Sequence, residues 1–75
     1  MFELTFIYNG HCRLPLGNFW NIHDAVEALK DHQWAYSAIT RPRFAKSMHG
    51  ETIRVDYGAV DCYYLITKKQ AEETQ

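Results

Sequence analysis

The side chains through which this chain could do chemistry are its four histidines and two cysteines. His11 and Cys12 are adjacent in a stretch that reads as a strand, so they point to opposite faces and cannot share one ion. His23 and His32 fall half a turn out of phase on a predicted helix. His23, Glu27 and Asp31 do line up at i, i+4 and i+8, a spacing that could meet a metal. A solvated helix face requires the same spacing, and we expect no metal site. His49 stands alone in a predicted loop. A nucleophilic Cys12 or Cys62 would need a histidine partner and an oxyanion site. Neither has a local signature, and both fall on apolar faces, where thiols are inert. Asp56 and Asp61 could form an acidic pair, but they flank a turn whose polarity accounts for them. The chain carries no GxGxxG, P-loop or HExxH pattern. We therefore expect no catalytic residues, no cofactor and no enzyme.

Recognition chemistry is better represented. The segment Arg41 to His49 interleaves Arg41, Arg43, Lys46 and His49 with Phe44 and Met48. It is positive within a chain whose net charge is -1. Such a loop could grip phosphate or an acidic protein partner, with Phe44 stacking or inserting. The alternative is a solvated loop with Phe44 and Met48 tucked under a sheet edge. The acidic remainder makes general nucleic-acid affinity the weaker version.

These residues must be positioned by a few short elements. Ile22, Ala25, Val26 and Leu29 make one helical apolar stripe, which predicts a helix over Asn21 to Gln33. Asn21 is the expected N-cap, Asp24 favours the first turn, and Trp20 is placed to staple over Ala25. Phe2 to Tyr8 alternates as a half-buried strand, and Asn9-Gly10 signals a hairpin into His11 to Leu16. Keeping the apolar faces together favours Phe6 opposite Cys12 and Leu4 opposite Leu14. That implies a type I turn with a bulge at Gly10. Pro15 marks the second strand as an edge. Phe19 and Trp20 are expected to close the core. Trp34 to Arg41 reads as a third strand stopped by Pro42, and Pro42 to Gly50 as a loop. Glu51 to Tyr57 alternates again. Cys62 to Thr67 is apolar on both faces, the mark of a central strand. A four-residue turn would set Val55 opposite Tyr64 and Ile53 opposite Ile66.

The resulting order, ββαβββ, predicts an α+β domain: one mainly antiparallel five-stranded sheet with the helix packed on one face. Ile7, Arg13, Arg54, Asp56, Tyr63 and Leu65 should share the other face. An aromatic and arginine surface of that kind resembles the core of a protein interface. With 75 residues, residues 1–67 make a single domain with a modest core, and 68–75 a polar, frayed C-terminal tail. Glu3 interrupts the first apolar run and no cleavage site follows, so no signal peptide is expected. No apolar run reaches membrane-span length. A cytoplasmic protein with reduced thiols is the simplest placement.

Together these features favour a small protein-interaction module that binds and modulates or inhibits a larger protein partner. A stand-alone domain of this kind would suit a phage or mobile-element accessory, such as an anti-CRISPR or other anti-defence inhibitor. That likeness is of size and style, and no motif carries it. The alternatives are nucleic-acid binding through Arg41 to His49, and a small-molecule site using His49, Cys62 or Tyr64. Homodimerisation through Ile7, Tyr63 and Leu65 is compatible with each.

Overall fold

In the computed structural model, which describes residues 1–69, the chain runs β1 (Phe2–Tyr8), β2 (Cys12–Phe19), α1 (Ile22–Tyr36), β3 (Ala45–His49), β4 (Thr52–Asp56) and β5 (Tyr63–Lys68). Every strand pairing is antiparallel, in one five-stranded sheet of order β2-β1-β5-β4-β3. This is the expected α+β arrangement with α1 across one face. The doubly apolar β5 is the middle strand, and Pro15 lies on an edge. Val55 faces Tyr64 and Ile53 faces Ile66, as the four-residue turn requires. β5 runs into the segment expected as a tail, and the Lys69 N–H donates to the Met1 carbonyl at 2.7 Å. The rest of that tail lies outside the described residues.

Burial of one helix stripe against one sheet face makes the core. Ala25 and Leu29 of α1 meet Leu4, Val55, Tyr64 and Ile66, all nearly or fully buried. Asn21 caps the helix as expected, its Oδ1 accepting from the Asp24 N–H at 2.9 Å. Trp20 is 76% exposed, so it neither staples over Ala25 nor closes the core; Phe19 alone packs there.

Two strand assignments are corrected. α1 does not end at Gln33 but continues through Tyr36, so Trp34 to Arg41 is no strand. Gln33 belongs to the buried stripe with Ala25 and Leu29. Its amide is satisfied there, because Nε2 donates to the Ile39 carbonyl at 2.8 Å once the chain turns back. The third strand is instead β3, inside the segment expected as a loop. It forms because Gly50, with φ at 66°, makes a two-residue turn with Glu51. A glycine at the first central position followed by a negative φ is the type II′ pattern, whose twist suits a hairpin. The turn delivers His49 opposite Thr52 and Lys46 opposite Val55.

The first hairpin also departs from expectation. Asn9 and Gly10 both have positive φ, 53° and 79°, which is the mirror-image turn and excludes type I. The competing demand is at the tip, where the Gly10 N–H donates to the Asp61 carbonyl at 2.8 Å. Tyr8 then faces Cys12 and Phe6 faces Leu14, two residues from the expected register. A two-residue shift preserves parity, so the apolar faces stay together. Further on, the register slips between Leu4 and Thr5, leaving Leu16 as the extra residue of β2. That bulge moves Phe19 opposite Phe2 and keeps it on the core side.

Candidate interaction surfaces

The strand registers place Ile7, Arg13, Arg54, Asp56, Tyr63 and Leu65 on the sheet face away from α1. Ile7 faces Arg13 on one side and Tyr63 on the other, and Arg54 faces Leu65. Several side chains of this face are engaged with one another, although the Arg54 and Asp56 side chains stay 40% and 39% exposed. The Arg54 guanidinium lies 3.8 Å from the centre of the Tyr63 ring and bonds the Asp56 carboxylate at 3.2 to 3.3 Å. The Asp56 bond raises the Arg54 pKa further. Ile7 is only 3% exposed. Arginine stacking on an aromatic ring while paired to a carboxylate satisfies both its plane and its charge.

A second surface was not visible in the sequence. An open groove of about 840 Å³ runs between the end of α1 and the first hairpin. Phe6, Leu16, Ile39 and Tyr57 contribute to its lining, and its large exposed members are Tyr8, Leu14 and Tyr36. Tyr36 is 80% exposed, and Trp34, on the same last helical turn, is 73% exposed. A polar pair stands beside the groove: the Tyr64 hydroxyl and His32 Nδ1 are 2.7 Å apart. Burial pushes the Tyr64 hydroxyl well above the usual phenol range and lowers His32. Both groups are thereby held in their neutral forms, and the tautomer of the imidazole sets which of the two donates. Tyr57 is pushed up to about 12, by burial first and then by Cys62. The signal that would have found this groove is the continuation of the helical stripe through His32 and Tyr36.

The basic segment is a strand and its approach rather than a loop. Arg41 and Arg43 lie in the connection, Phe44 precedes β3, and Lys46 and Met48 share the helix side of β3. Phe44 is partly exposed, and Lys30 Nζ reaches 6.0 Å from its ring centre. A cleft of about 290 Å³ opens there, lined by Val26, Leu29, Lys30, Phe44, Lys46 and Val55. His49 is on the opposite side, with Nε2 at 3.2 Å from Ser47 Oγ.

Of the residues weighed for chemistry, Cys62 lies with its Sγ 3.5 Å from Asp61 Oδ1 and shares the groove lining with His32, while His49 stands apart from them. His49 faces Thr52, which faces Thr67, at the far end of β5 from Cys62. His23, Glu27 and Asp31 lie exposed on α1. Among the described residues no group of three or more His, Cys, Asp or Glu comes together. Both cysteines are free and half-buried. No helix among the described residues is long and apolar enough to cross a membrane. No protein-family model, curated protein or solved structure matches this chain.

Proposed function

We propose that this chain is a small non-enzymatic interaction protein that binds a larger protein partner and modulates or inhibits it. The observation that carries the reading is the aromatic rim at the end of α1. Tyr36 stands exposed on an open apolar groove whose other wall carries Tyr8 and Leu14. Large aromatic side chains of this kind supply most of the binding energy in protein interfaces. The opposite sheet face is already engaged by its own Arg54–Tyr63 stack, so we assign the main contact to the groove. A finer version is a phage or mobile-element accessory that blocks a defence complex, supported by size and architecture alone.

The test is affinity capture from host cells with nuclease present, comparing wild type with Leu14→Ala and Tyr36→Ala. Both side chains are exposed, so both variants should fold normally. A stoichiometric protein captured by wild type and lost from both variants supports the reading. Equal capture by all three overturns the groove as the contact. A ligand-specific thermal shift abolished by Tyr36→Ala would favour a small-molecule site in the same groove, whose volume falls in the ordinary range for such sites.

A further inference from the structure

Among the described residues the outer edge of β3 is not paired, and the two edges of this sheet differ. β2 carries Pro15 and a register slip, both of which discourage further strand pairing. β3 carries neither, and all five of its residues are exposed. The two-residue Gly50–Glu51 connection makes His49 and Thr52 the bonded closing pair. Alternation along the ladder then turns the N–H and C=O groups of Lys46 and Met48 outward. The cleft beside Phe44 lies on the side of the sheet to which Lys46 and Met48 project. Along the chain, no acidic residue occurs between Asp31 and Glu51. Among the described residues, Lys30, Arg41, Arg43 and Lys46 make no ion pair; the pairs present are Arg54–Asp56 and Lys69–Glu3.

We propose that β3 accepts an extended acidic segment of a partner protein as an added strand, with an apolar side chain of that segment seated in the cleft beside Phe44. Main-chain bonds to Lys46 and Met48 give the pairing, the cleft selects an apolar residue, and the basic rim selects carboxylates at alternate positions. A second copy fits less well. Antiparallel pairing of two β3 strands about Ser47 would set each Lys46 diagonally across from its equivalent, a like-charge arrangement. This inference deepens the interaction reading but uses a surface apart from the groove.

The experiment is an NMR titration of the isotopically labelled chain with an end-blocked nonapeptide alternating glutamate and valine. The same peptide with lysine for glutamate is the control. Shifts should centre on the Lys46 and Met48 amides, and the lysine peptide should bind at least about tenfold more weakly, the equivalent of one lost charged contact. Met48→Pro, which removes an outward N–H at an edge together with the methionine side chain, should weaken the glutamate peptide by at least about tenfold. The double variant Lys30→Glu, Lys46→Glu should reverse the peptide preference and keeps the test decisive if the proline variant misfolds. Equal binding of both peptides, no binding, or shifts centred elsewhere overturns the proposal. Tighter, steeply salt-dependent binding of a single-stranded oligonucleotide at these amides would overturn it in favour of nucleic acid. Concentration-dependent β3 shifts without peptide would overturn it in favour of self-association. Tyr36→Ala should leave peptide binding intact, so failure here and failure of the groove reading are separable.

Discussion

Replacing Tyr64 with phenylalanine isolates a polar pair built into the aromatic part of the core. The Tyr64 ring is 1% exposed and packs against Phe6 at 4.9 Å and Tyr57 at 5.5 Å between centres. Phenylalanine preserves those contacts and creates no large cavity, so the several kcal/mol of a large-to-small core change do not apply. What is lost is the 2.7 Å bond to His32 Nδ1. A fully buried donor or acceptor left unpaired costs about 1–3 kcal/mol. His32 is only half-buried, so water recovers part of that, and the expected loss is about 1 kcal/mol. In a domain this small, that is a fall of about 4–8 °C in Tm. The assay is urea unfolding followed by far-UV circular dichroism at pH 8, on wild type, Tyr64→Phe, His32→Leu and the double variant. The double-mutant cycle should return a coupling of about 1 kcal/mol. A coupling below about 0.3 kcal/mol, the level expected of independent sites, would refute the assignment of this bond as a stabilising one.

Burial holds the folded His32 below its unfolded value. Above about pH 6.5 both states are neutral, and below it the unfolded chain takes the proton first. Unfolding free energy should therefore fall as pH drops through about 6.5, and titration of stability in His32→Leu should lack that component. Asn21→Ala removes the acceptor for the Asp24 N–H and should cost about 1 kcal/mol, read as a lower urea midpoint with an unchanged m-value. Gly50 has nothing within 4 Å of an added Cβ but sits at φ 66°. Gly50→Ala should thus destabilise through backbone conformation alone, by about 1–2 kcal/mol. A D-alanine placed there by synthesis should be tolerated.

Local pattern predicted those parts of the fold that local pattern controls. The Ala25–Leu29 stripe, the Asn21 cap, the edge at Pro15 and the centrality of β5 each follow from periodicity or from the chemistry of one residue. Gln33 failed as a helix end because its burial depends on the Ile39 carbonyl, which arrives only after the chain reverses. β3 failed as a strand because Ala45–His49 has weak intrinsic preference and no buried residue. Its extended state is imposed by the glycine turn and by the alternating partner β4, an override that single-strand propensity does not contain.

The same distinction governs the surfaces. Strand parity alone collects Ile7, Arg13, Arg54, Asp56, Tyr63 and Leu65 on one face, because a period of two needs no tertiary information. That Arg54 would fold down onto Tyr63 is a rotamer choice made across a strand pairing, and it ties two of these residues to each other. The groove draws Tyr8, Leu14 and Tyr36 from three elements, and it disappears when Tyr36 is assigned to a strand. The consequence is largest at Arg41 to His49. As a loop, its charges could only be placed by composition. As an edge strand, the same residues acquire a direction, an outward hydrogen-bonding row and a neighbouring apolar cleft. A cluster of charge thereby becomes a surface with a stated register, which a single edge substitution can test.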